Sequence, residues 1–188
     1  MFQRLLGRRN TANRAVIDAL YGQIVAAARQ PVLYSDWQVP DTPLGRFEML
    51  ALHVFLVLHR LRGEGAPLAE LAQELTDRFF ADVDDALRAL GIGDIGVPKR
   101  IKKLARMFYG RAAAYGEALD RGDAPALAAA LARNVAPGVP DWRGAEPLAG
   151  YALRADRDLA GQSAGEIASG RLYFPAAGTT LEGKSSIP

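Results

Sequence analysis

Two histidines, a few serines, an acidic cluster, a glycine-rich turn and a run of lysines are where this 188-residue chain could do chemistry. His53 and His59 are six residues apart, ~120° around a helix, so they cannot hold one metal ion from that helix. A lone histidine in a core helix is expected to be simply hydrogen-bonded. Ser35, Ser163, Ser169, Ser185 and Ser186 lie outside any nucleophile elbow, which leaves no acyl-transfer triad. Asp82, Asp84 and Asp85 cluster where a helix would start and would favour its dipole; they lack calcium-loop spacing. Residues 91–96, GIGDIG, fit G-x-G-x-x-G, and Asp120 follows at a plausible ribose-binding distance. A dinucleotide fingerprint, however, needs a strand before it, and here the preceding segment is helical. The turn reads as a helix C-cap, with an anion site at the next helix's N-terminus and a nucleotide site as the lesser alternatives. Cysteine is absent, so disulfides, zinc–thiolate sites, iron–sulfur ligation and cysteine nucleophiles are excluded. These residues point to a binding protein, not to an enzyme.

The lysine run is the exception. Over residues 97–120, Val97, Ile101, Leu104, Phe108, Ala112, Tyr115 and Leu119 form one apolar stripe at ~100° per residue. Lys99, Lys102, Lys103 and Arg106 lie opposite it, and the same outer face continues through Gly110, Ala113 and Glu117. A basic patch is thus followed by a place of little side-chain bulk, where another helix can approach. The face is either solvated or a docking surface for an anionic or helical partner.

The helix that must position this face is a second one, over residues 43–62. Thr42–Pro43 is an N-cap followed by proline at the first helical position. Leu44, Phe47, Leu50, Ala51, Val54, Phe55, Leu58 and Leu61 recur at three- and four-residue spacing, and Met49, Leu52 and Leu56 cover the other side. A helix apolar nearly all round is expected to be central and buried. Arg46, His53 and Arg60, seven residues apart, form a narrow polar line along it.

Around these two helices the pattern predicts an all-α, single-domain bundle of about six helices with a less regular C-terminal segment. A first helix, capped at Asn10 or Thr11, runs to about Arg29, where Pro31 ends it. Residues 32–41 form a linker, and Pro67 opens a helix with Leu68, Leu71, Ala72, Leu75 and Phe79 inward. A short helix begins at Asp82 and closes at Gly91. Asp123 caps another through Asn134. Trp142, Leu148, Tyr151 and Leu153 suit a terminal helix packed on the core, and residues 171–175 an extended segment. The division expected is a flexible basic terminus (1–11), a helical domain (12–136), a C-terminal packing segment (137–175) and a mobile tail (176–188). Hydrophobic content of 49% and charged content of 23% describe an ordinary globular chain. No run resembles a signal peptide, so a cytoplasmic location is expected.

The residues also carry a resemblance. PDTPLGRFEMLALHVFLVLHRL (40–61), DRFFADVDDALRALGIGD (77–94) and VPKRIKKLARMFYGR (97–111), with LYGQIVAAARQPVLY (20–34) upstream, are similar in this order to the ubiquinol–cytochrome c chaperone family. The similarity covers roughly residues 12–135, and nothing after Pro137 matches. The long N-terminal extension of mitochondrial members is missing, which suits a bacterial member. The resemblance implies a helical, cofactor-free chaperone that binds newly synthesised cytochrome b and helps it mature into the bc1 complex, at the cytoplasmic face of the inner membrane. It also implies possible contact with a ribosome or a small partner protein, and no DNA. The candidate partner-binding residues are Asp41, Arg46 and Phe47 at one corner and Lys99, Lys102, Lys103, Arg106, Tyr109 and Gly110 on the basic face. Arg46 either meets the client or pairs with Asp41 or Glu48 to fix the loop. The alternative is an RNA- or ribosome-binding helical protein using the same basic face, although Tyr109 is the one aromatic beside it.

Overall fold

A computed structural model describes the backbone of residues 2–178 and the side chains of residues 13–178. The expected basic terminus and most of the expected mobile tail therefore lie outside the described side chains. Eight helices and no strand occupy the described residues: α1 (Phe2–Ala28), α2 (Pro31–Ser35), α3 (Pro43–Leu61), α4 (Ala66–Ala89), α5 (Gly96–Arg121), α6 (Ala124–Val135), α7 (Ala145–Ala160) and α8 (Ala164–Ala168). One hydrophobic cluster draws on all of them, so the all-α bundle is as expected.

Helix α3 is its axis, packing against α1, α4, α5, α6 and α7. Met49, Val54, Leu56 and Val57 have no exposed surface. Its start is as the sequence indicates, with Gly45 N–H donating to Thr42 Oγ at 3.1 Å. Leu44 departs from expectation and is 44% exposed, because it lies in the first turn, before the helix enters the bundle.

Three further expectations need correction. Helix α1 continues N-terminal of Asn10 and Thr11, so neither caps it. The 32–41 linker contains α2, for which Pro31 is the first residue rather than merely a stop. Asp82 starts no helix. The inward series Leu68, Leu71, Leu75, Phe79 and Val83 keeps one helical period, and α4 runs unbroken to Ala89. Asp82 instead accepts a 2.9 Å hydrogen bond from Tyr21 Oη on α1.

The polar line on α3 sets how its neighbours sit. His53 is fully buried. Its Nδ1 lies 2.7 Å from the Met49 carbonyl, which can only accept, so Nδ1 carries the proton. Nε2 then accepts from Tyr151 Oη on α7 at 2.8 Å. Burial holds this imidazole down to about 4, so it stays neutral. Arg60 donates to the carbonyls of Leu159 and Gln162, both at 3.0 Å, and so caps the C-terminal end of α7, where a cation is favoured. His59 Nδ1 reaches Asp156 of α7 at 2.7 Å.

After α8, residues 171–176 have no regular secondary structure and join no sheet among the described residues. Three glutamine amides serve as their strand partner. Gln23 donates to the Gly170 carbonyl and accepts from Leu172 N–H, both at 2.8 Å. Gln162 does the same for Tyr173. Gln30 accepts from Ala177 N–H at 2.6 Å and donates toward Pro175 and Tyr151. This strap thereby joins the His53–Tyr151 pair.

Removing one oxygen tests that arrangement. Tyr151→Phe strands His53 Nε2 in the core, where an unmet polar group costs ~1–3 kcal/mol. Thermal unfolding of the variant is expected at a lower temperature, with helical content unchanged.

Candidate partner-binding site

Two segments carry the candidate residues, and their roles differ. At the corner preceding α3, Arg46 Nε and Asp41 Oδ1 are 2.5 Å apart, with side chains 63% and 56% exposed. The hydrogen bond from Arg46 holds the Asp41 carboxyl below its usual range. The pair closes the turn around Thr42. Gly45 is required there, because a Cβ would stand 1.9 Å from the Pro40 carbonyl oxygen. Phe47 turns inward, buried and stacked on Phe79 at 5.9 Å. The P-D-T-x-x-G-R-F motif therefore has a local structural explanation residue by residue, and Phe47 presents no surface to a partner.

The interior joins this corner to α5. Phe79 contacts Phe108 at 5.4 Å, and Phe108 contacts Tyr109 at 5.3 Å. One residue past Phe47, Glu48 Oε1 lies 2.7 Å from Arg111 Nη1, with side chains only 2% and 13% exposed. The two atoms are close without hydrogen-bond alignment and form an ion pair only when Glu48 gives up its proton. Burial pushes the Glu48 carboxyl up to about 7, against the pull of Arg111. Ala51, Leu52, Phe55, Phe108, Ala112 and Tyr115 complete a small pocket around the pair.

On the outside of α5 the picture reverses. Lys99, Lys102, Lys103 and Arg106 are exposed, and none forms an ion pair among the described residues, although eleven such pairs form elsewhere. Arg100, outside the expected set, is likewise exposed and unpaired among the described residues. Helix α5 has no acidic residue in its first turn and no side-chain cap at Ile95. A cation in the first turn, as Lys99 is, is disfavoured by the helix dipole, so the fold does not favour its position there. Tyr109 stands 58% exposed beside them. Gly110 is exposed, and a Cβ there would meet nothing within 4 Å. The predicted outer face thus exists as a cationic surface followed by a stretch without bulk. Such a surface suits an anionic or close-packing partner.

The other signals fall to structure. Gly91, at φ +80°, ends α4, and the GIGDIG turn connects two helices with no strand before it. His53 and His59 serve different neighbours. No group of side chains that could hold a metal ion occurs among the described residues, and no helix there is long and apolar enough to cross a membrane.

Two tests follow. Gly45→Ala is expected to destabilise by ~1–3 kcal/mol, since backbone must move, whereas Gly110→Ala is expected to gain ~0.5–1 kcal/mol. Denaturant titration of both variants reads the opposite signs. Folding also makes Glu48 hold a proton that the unfolded chain releases, so stability falls as pH rises from about 4.5 to about 7. Glu48→Gln should flatten that limb, whose slope for one proton is at most ~1.4 kcal/mol per pH unit.

The geometry has counterparts among known proteins. The sequence profile of the family described as "Ubiquinol-cytochrome C chaperone" matches residues 35–174. It therefore extends through α7 and α8, past the expected limit of similarity near residue 135. A ubiquinol-cytochrome-c reductase complex assembly factor 1 from Xenopus laevis is 28% identical over 97 residues, 52% of this chain and 48% of that protein. The chain thus spans about half the length of this curated relative. The crystal structure of the Cbp3 homolog from Brucella abortus superposes with a TM-score of 0.86 at 54% identity, covering 93% of this chain and 97% of that one.

Proposed function

Because the chain belongs to the ubiquinol–cytochrome c chaperone family, we propose that it is a non-catalytic assembly factor that binds newly synthesised cytochrome b and promotes its maturation into the cytochrome bc1 complex. The observation that carries the reading is the outer face of α5. Its cations have no acid to meet within the described residues, and its mid-helix glycine has no neighbour to accommodate. A membrane-protein client caught before assembly presents apolar segments and polar loops. The basic heads of Lys99, Lys102, Lys103 and Arg106 meet the acidic loops, and their aliphatic stems lie along apolar surface. Tyr109 and Gly110 extend the contact along the helix. Asp41 and Arg46 hold the corner in shape and remain exposed for a rim contact. A client inserted in the bilayer places its chaperone peripherally, at the cytoplasmic face of the inner membrane.

The double reversal Lys103→Glu and Arg106→Glu is the test. Both side chains are exposed and unpaired among the described residues, so the variant is expected to melt at the parental temperature. Co-purification of cytochrome b from a bc1-containing bacterium is expected to fall at least tenfold. Undiminished recovery would reduce the face to a solvated one. Recovery of ribosomal RNA in place of cytochrome b, lost steeply with salt, would make it a nucleic-acid surface.

A further inference from the structure

The end of the bundle where α4 turns into α5 carries bare apolar residues that client binding does not explain, beside lysines that it shares with the client face. Leu87 on α4 and Ile101 and Leu104 on α5 pack against the core, and each is only partly buried. Val97 is fully buried, but two apolar residues of the tip are bare. Leu90 is 58% exposed and Ile95 is 97% exposed, the highest exposure of any large hydrophobic residue described. Ile92 folds back against Gly96, where a Cβ would stand 3.0 Å from its Cγ2. Ile95 has no such shelter.

Charge surrounds this apolar tip. Residues 84–106 contain six cations against three carboxylates, and two of those carboxylates, Asp84 and Asp94, are already bound by Arg88. Asp85 is the third. The five cations after the turn are unpaired among the described residues. At ~100° per residue, Lys102, Lys99, Lys103 and Arg100 spread over an arc of ~160° rather than one line. They form a collar one to two helical turns behind Ile95.

From this arrangement we propose that the α4–α5 tip is an interfacial anchor: Leu90 and Ile95 enter the boundary of an anionic lipid bilayer while Lys99, Arg100, Lys102 and Lys103 bind its headgroups. An exposed apolar end with a cationic collar matches a surface that is apolar below and negative above. A polyanion such as RNA has no use for a bare isoleucine and finds only Tyr109 to stack on. A helix-binding groove would favour a single stripe. The anchor orients α5 away from the bilayer, which leaves Arg106 to Gly110 free for a client loop beside the membrane. The inference deepens the peripheral location proposed above, and it needs no client to be tested.

Ile95→Trp is the probe, because a side chain so exposed can be replaced without disturbing the core, and Trp37 and Trp142 are buried and give a constant background. Mixed with vesicles of phosphatidylcholine and phosphatidylglycerol, this variant is expected to show blue-shifted emission, and with phosphatidylcholine alone none. Ile95→Asp and the pair Lys99→Glu, Lys103→Glu are each expected to lower co-sedimentation with the anionic vesicles at least tenfold, at unchanged melting temperature. Binding without a blue shift, or binding indifferent to Ile95→Asp, overturns the anchor in favour of loose electrostatic adsorption. No vesicle binding, or an RNA oligonucleotide that binds equally well to the Ile95→Asp variant, overturns it outright. Because the vesicles contain no cytochrome b, this result and client co-purification can fail independently.

Discussion

A helix with almost no polar side must be covered from every direction, and α3 imposes that condition on the whole chain. Burying its Met, Leu, Val and Phe side chains contributes roughly 1.5–3 kcal/mol each, but apolar burial alone is indifferent to which neighbour supplies the cover. The polar groups of α3 make the selection. An unmet polar group in the interior costs ~1–3 kcal/mol, so His53 requires Tyr151, Arg60 requires the end of α7, and Glu48 requires Arg111. Each partner lies on a helix far along the sequence. The hydrophobic effect collects the helices, and these pairs set their register.

This division also separates structure from contact. The glycine, phenylalanine, glutamate and arginine that give the corner and α5 their recognisable motifs point inward: Gly45 under a carbonyl, Phe47 on Phe79, Glu48 on Arg111. These motif residues build the scaffold, whereas the lysines, Tyr109 and Gly110 of the same α5 stretch stay outside. The groups the scaffold leaves unused, the cations and the open glycine of α5, are those best suited to meeting something else.

The parts of this organisation legible in the sequence are those governed by local rules. The burial of α3, the Thr42 and Asp123 caps, the turn at Gly91 and the apolar stripe of α5 all follow from periodicity and capping over a few residues. In α4 three aspartates resemble a helix start, while the Leu68-to-Val83 period runs through them and keeps one helix. What local rules cannot supply is pairing across the chain. Nothing near Gln23, Gln30 or Gln162 indicates that they replace a β-strand for residues 170–177. Nothing near His53 indicates Tyr151, 98 residues away. The same limit hid the Glu48–Arg111 pair, although both residues stand inside stretches that look like family motifs. On the candidate face, the lysines were legible as a surface. The inward turn of Phe47 and the bareness of Ile95 depend on tertiary packing and were not.

The central claim is that the outer face of α5 is where a partner meets this protein. Its most direct test is a photo-crosslinking residue at Arg106, with a matched one at Ala129, which is exposed on α6, each activated during synthesis of cytochrome b. An adduct with cytochrome b from position 106 and none from position 129 is the result this account predicts. Adducts from position 129 alone, or from both positions equally, would contradict it.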